Sequence, residues 1–146
     1  MHITYKGDYA LKTILDLATH YGRNPITIHE LARRADIPIK FLEQILLDLK
    51  RGGFVESRRG KIGGYLLSRH PSKIKLGEVA RFIDGPAEPI VCVDKNYKGC
   101  SDITRCVFRS IWKKVSEATS KIIDEITFED LVKKNKGLDS ALTYHI

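Results

Sequence analysis

The chain has 146 residues, of which 42% are hydrophobic and 29% charged, an ordinary globular composition that excludes a disordered chain and leaves room for one compact core with one protruding element. Its net charge of +7 is lopsided: residues 1–85 carry +6 and residues 86–146 only +1, so a polyanionic partner is expected at the first half. No apolar run approaches the roughly 20 residues that cross a bilayer, and Met1 to Lys12 reads as an amphipathic helix start rather than a secretion signal; a cytoplasmic location with no membrane partner is expected.

In chain order, a first helix is expected from about Tyr5 to Tyr21, with Tyr9, Leu11, Ile14, Leu15, Leu17 and Ala18 on one broad face, stopped by Gly22 and Asn24-Pro25. Thr27-Ile28-His29-Glu30 has the form of a capping box, which starts a short helix to about Ala35. Asp36-Ile37-Pro38 makes a turn, because proline disfavours helix in the residue before it. The next helix carries Phe41, Leu42, Ile45, Leu46 and Leu49 on one stripe, with Lys40, Glu43, Gln44 and Asp48 largely on the other side, and Gly52-Gly53 ends it.

Two short helices joined by such a turn form a helix-turn-helix pattern, a weak signal alone. Two strands, Phe54 to Ser57 and Tyr65 to Ser68, strengthen it, because they flank the basic, glycine-rich tip Arg58-Arg59-Gly60-Lys61-Ile62-Gly63-Gly64. A wing of this kind reaches the DNA backbone or minor groove, where arginine is favoured by the negative potential. The tip leads from strand to strand, not from strand to helix, so it is no nucleotide cradle.

A further helix over Leu76 to Ile83 closes this part, and Pro86 to Ser101 is irregular. From about Asp102 a long helix places Ile103, Val107, Ile111, Val115, Ala118, Ile122 and Ile126 at spacings of three and four, more apolar surface than one small domain must cover; it reads as a dimerisation helix. Thr127-Phe128-Glu129-Asp130 begins a short last helix by similar capping logic, and the tail after Lys136 is expected to fray. The fold class is thus mostly α, a winged helix-turn-helix domain with a small two-stranded wing and a long C-terminal dimerisation helix. It divides into a DNA-binding domain at 1–85, a cysteine-bearing loop at 86–102, and the dimerisation helix with the last short helix at 103–146.

Cys92, Cys100 and Cys106 fall within fifteen residues. An odd count argues against a disulfide framework, and in a reducing compartment such a cluster is metal-binding or redox-active. Cys106 is expected in the first turn of the long helix and Cys100 just before it, where orphan amides favour a thiolate. The pairs two residues apart that zinc ribbons use are absent, so an iron–sulfur cluster, free redox thiols, and zinc-binding or incidental cysteines all stay open. An enzyme is not expected: there is no Cys-x-x-Cys pair and no nucleophile elbow, and His2, His20, His29, His70 and His145 are scattered without ligand spacing, so no small-molecule substrate is implied.

The run Ile3 to Leu11, the helix Phe41-Leu42-Glu43-Gln44-Ile45-Leu46, the wing from Arg59 to Leu67 and the three-cysteine loop together resemble the Rrf2 superfamily of winged-helix regulators, which includes the IscR, NsrR and RirA types. The resemblance covers residues 1 to about 132. It implies a homodimer on double-stranded DNA at a near-palindromic operator, with Glu43 and Gln44 reading bases and Arg59 in the minor groove; Lys40, Arg58 and Lys61 join them on charge and expected exposure. It also implies an iron–sulfur cluster, [2Fe–2S] or [4Fe–4S], on Cys92, Cys100 and Cys106, and hence a DNA-binding regulator controlled by iron, cluster supply, redox state or nitric oxide. The alternative is a cluster-free thiol-redox repressor on the same scaffold. For the fourth ligand the subtypes conflict: the IscR type has histidine where Arg109 stands, the NsrR type has a first-helix aspartate matching Asp8, reaching the partner subunit's cluster, and the seven-residue gap between Cys92 and Cys100 resembles the RirA type.

Overall fold

A computed structural model describes residues 1–144. Eight elements carry the architecture: helices α1 (Tyr5–Thr19), α2 (Ile28–Ala35) and α3 (Ile39–Arg51), strands β1 (Val55–Arg58) and β2 (Gly64–Leu67), then α4 (Leu76–Asp84), α5 (Val107–Glu125) and α6 (Phe128–Tyr144).

Local chemistry sets most boundaries. Thr4 caps α1 by accepting from the Gly7 amide at 3.0 Å, while the Asp84 carboxylate accepts from the Thr4 amide at 3.0 Å. A side chain on Gly7 would run into that carboxylate, so this glycine is what lets α1 and α4 approach. Thr27 caps α2 at the Glu30 amide, but the reciprocal half of the box is not made. The Glu30 carboxylate instead takes Arg33 at 2.6 Å and Arg34 at 2.8 Å, and these hydrogen bonds, Arg33's first, lower its pKa to about 2. Asp36, in the left-handed region at φ 53°, ends α2, and Pro38 is the N-cap of α3.

The hairpin is antiparallel, registered Val55↔Leu67 to Arg58↔Gly64. Its base is stitched to the segment before α2, where Ile26 and Tyr65 exchange main-chain hydrogen bonds of 2.9 and 2.8 Å. Gly64 is at φ +148° and a Cβ there would strike the Ile26 backbone, so the stitch requires glycine.

Ile14, Leu31, Leu42, Ile45, Leu46, Leu49, Phe54, Val55, Leu67 and Val79 form one buried core. Fully burying side chains of this size stabilises by roughly 1.5 to 3 kcal/mol each. Phe128, from α6, belongs to the same core. A bridge between Lys75 and Thr127, with Leu76 N donating to Ile126 O at 2.9 Å and Phe128 N to Ile74 O at 3.0 Å, brings it there.

Four expectations need correction. Phe41 is not on the buried stripe: it is 52% exposed and meets the Tyr9 ring edge-on at 6.2 Å, because it flanks the core-facing side of α3. The first helix ends at Thr19, two residues early, in turns made by Tyr21 N to Ala18 O and Arg23 N to His20 O. The long helix starts at Val107, not near Asp102. Arg105 and Cys106 close an isolated turn on the Asp102 carbonyl, and Cys106 then takes an extended conformation as N-cap. Finally, the last helix is long: it continues through Gly137 to Tyr144, with the hydroxyls of Ser140 and Thr143 bonded to the Lys136 and Asp139 carbonyls. The expected fraying of residues 145 and 146 lies outside the described residues.

Candidate nucleic-acid interface and cysteine loop

On α3, Lys40, Glu43 and Gln44 are all exposed, as the stripe on Leu42, Ile45, Leu46 and Leu49 requires. Arg58, Arg59 and Lys61 are exposed at the wing. Arg58 is loosely paired with Glu56 at 3.4 Å, an exposed contact of little energetic weight.

Three features of this face were missed in the sequence. Gln44 Nε2 donates to Asp48 Oδ1 at 3.3 Å, and Asp48 is in turn bound by Lys6 of α1 at 2.6 Å, which, with Gln44 and Arg51, holds its pKa below the ordinary carboxylate range. The Gln44 amide is therefore oriented from two helices; the four-residue spacing of Gln44 and Asp48 was the available signal. Lys50 Nζ donates to Ser57 Oγ at 2.7 Å, tying the end of α3 to the wing. Leu47 and Ile62 are exposed beside the polar residues, one on the helix and one at the tip, and offer apolar contact of the kind a thymine methyl accepts.

The cysteines lie elsewhere. All three are free, Cys92 and Cys106 partly buried and Cys100 exposed. Cys92 sits in a single helical turn, Val91–Val93, and Cys106 is the N-cap of α5 rather than part of its first turn; Cys100 is six residues further out. Arg109, one turn into α5, donates from Nε to the Cys92 carbonyl at 2.8 Å. Among the described residues no group of three or more His, Cys, Asp or Glu side chains converges as a metal site. Asp8 is on the first turn of α1, half-exposed and paired with Lys12 at 2.6 Å. In kind, the donor set fits an iron–sulfur cluster, since three free thiols, two on an irregular loop and one at the start of the helix that follows, are the soft ligands such a cluster takes.

Beyond the loop, α5 leaves its apolar stripe uncovered. Val107 is 69% and Ile122 62% exposed, with Ile111, Val115 and Ala118 exposed between them, while Ser116 and Ile123 on the opposite side are buried. The C-terminal part of α5 is clamped to α4. Gly77 leaves room for Asp124, and Arg81 binds the Asp124 carboxylate through both terminal nitrogens and Ser120 Oγ at 3.0 Å. The Arg81 guanidinium keeps the Asp124 carboxyl below its ordinary range.

Comparison with known proteins agrees with this arrangement. The family described as Rrf2, iron-dependent transcriptional regulator, matches residues 3–134. A putative HTH-type transcriptional regulator, rrf2-like, of Rhodobacter capsulatus is 39% identical over 137 residues, 89% of this chain and 91% of that one. The HTH-type transcriptional regulator IscR of Xenorhabdus nematophila is 35% identical over 141 residues, 97% of this chain and 85% of that one. Among solved structures, CymR, the global cysteine regulator of B. subtilis, superposes with a TM-score of 0.77 at 28% identity, covering 92% of this chain and 98% of that one. The relatives are transcription regulators, not enzymes, and no helix of the described residues is long and apolar enough to cross a membrane.

Proposed function

This chain belongs to the Rrf2 family of transcriptional regulators, and from that membership we propose that it works as a homodimer whose affinity for a near-palindromic operator is set by an iron–sulfur cluster on Cys92, Cys100 and Cys106. Glu43 and Gln44 read base edges in the major groove, Arg59 enters the flanking minor groove, and Lys40, Arg58 and Lys61 contact phosphates. The exposed stripe of α5 is the dimer seam. The observation that carries the reading is that Cys106 is the N-cap of this uncovered helix and Cys92 is bonded to it through Arg109. Whatever changes the loop therefore acts where two reading helices must be held about 34 Å apart, one turn of DNA.

The cysteines would hold the cluster, with Asp8 of the partner subunit as a fourth donor, and the bound group would supply a site that iron loss, oxidant or nitric oxide can alter. The residues of this chain do the rest: the Cys106 amide, bonded to the Asp102 carbonyl, holds that cysteine at the N-cap, and Asp48 keeps the Gln44 amide aimed. Purification without air, with iron and sulfide counts, an absorption spectrum, and operator binding before and after cluster removal, tests this. Iron and sulfide near a stoichiometric cluster with unequal affinities are expected. A metal-free preparation that binds and ignores every oxidant would defeat the proposal.

A second reading has its own support. The three cysteines are free and need no metal to react, and a structural relative is named as a global cysteine regulator. A cluster-free disulfide switch would show reversible thiol loss under oxidant, with no iron and an operator affinity that follows the thiol count.

A further inference from the structure

We propose that Arg109 is a positioning residue that ties the first cysteine to the start of α5. Past the buried Ala87, the loop from Pro86 to Ser101 has no fully buried apolar side chain among the described residues. Ile90 and Val91 are exposed, and between the loop and α5 lies an open cleft of about 390 Å³ whose wall includes Glu88, Val93, Asp94, Arg109, Lys113 and Ser116. Across this gap Arg109 Nε, itself partly buried, donates to the Cys92 carbonyl at 2.8 Å, and among the described residues it is the side-chain hydrogen bond joining loop and helix. Arg109 lies three residues after Cys106, so one guanidinium couples the backbone of Cys92 to the turn that Cys106 caps. It does so as a fixed cation bound to a carbonyl and not as a ligand. Cys100 is exposed and has no hydrogen bond to Arg109 among those of the described residues, so it serves as the internal reference. This inference rests on the fold and not on the cluster, and it holds for either reading above.

The test uses the full reduced chain in chelator without air, with iodoacetamide alkylation followed at each cysteine by peptide mass spectrometry. In Arg109→Ala the Cys92 rate is expected to rise about fivefold, the factor one net hydrogen bond supports, while Cys100 stays unchanged. Arg109→Lys, which keeps a donor, should recover part of the protection, as a merely space-filling role would not require. Hydrogen exchange at the Val93 and Asp94 amides, which close the turn around Cys92 at 3.2 and 3.1 Å, should quicken in parallel. An unchanged Cys92 rate with wild-type circular dichroism overturns the proposal, as does an equal rise at Cys100. If the alanine variant does not fold, Arg109→Lys decides by hydrogen exchange: faster exchange confined to those two amides supports the tether, and none overturns it.

Discussion

On α1 to α4, Ile14, Leu42, Ile45 and Leu49 are sealed from solvent, whereas on α5 Val107, Ile111, Val115 and Ile122 stand in it, although the two sets are equally apolar and equally periodic. The difference lies in what surrounds each stripe. The first faces three other helices and a hairpin of its own chain; the second is clamped at one end by Arg81 and Asp124 and tethered at the other by Arg109. The core of the first part, the head, is therefore closed within one chain, whereas the α5 stripe is left uncovered by its own chain, as the proposed dimer seam requires.

Phe128→Ala should break this contrast most strongly. It removes a fully buried ring supplied by α6 to the head, and a loss of about 3 to 5 kcal/mol in denaturant unfolding is expected. A loss comparable to a surface substitution would show that α6 is no part of that core. Ile111→Asp should do the reverse. On an exposed site it should leave the stability of the isolated chain within about 0.5 kcal/mol, yet give a monomer in sedimentation, with operator affinity down about a hundredfold through lost bivalency.

Within the head, Gln44→Ala should cost about 1 to 3 kcal/mol of discrimination between operator and mismatched DNA in competition binding. Lys61→Ala should weaken all DNA alike and flatten the salt dependence by about one counterion. The smallest effect is at the clamp. Asp124 has its pKa depressed by Arg81, so its contribution is complete above about pH 4 and is lost as pH falls through the depressed value. Both side chains are partly exposed, so the contribution is under about 1 kcal/mol. Comparing the acid limb of thermal unfolding for the native chain and Asp124→Asn isolates it.

The head was legible because each signal there is local: the Thr27 cap and the Asp36-Ile37-Pro38 turn lie where the sequence puts them, and the two strands lie one residue nearer the tip, taking in Arg58 and Gly64. The start of α5 was not. Ile103 keeps helical spacing with Val107 through an isolated turn, and periodicity cannot register the break at Cys106. The length of α6 was hidden by Gly137, whose cost of about 1 kcal/mol the helix absorbs. Exposure of Phe41 depended on where α1 lies, which no window within α3 contains. For the site, Lys40, Glu43 and Gln44 follow from the stripe, but the Lys6 and Asp48 support does not, since it joins residues on separate helices.

The bridge between Ile26 and Tyr65 is made wholly by peptide groups. Side chains on the hairpin tip can accordingly be exchanged during evolution without altering the angle at which the hairpin leaves the body of the molecule. One scaffold can thus acquire new groove preferences by drift in three residues, Arg59, Lys61 and Ile62, while Gly60, Gly63 and Gly64, which the turn and the stitch require, stay fixed.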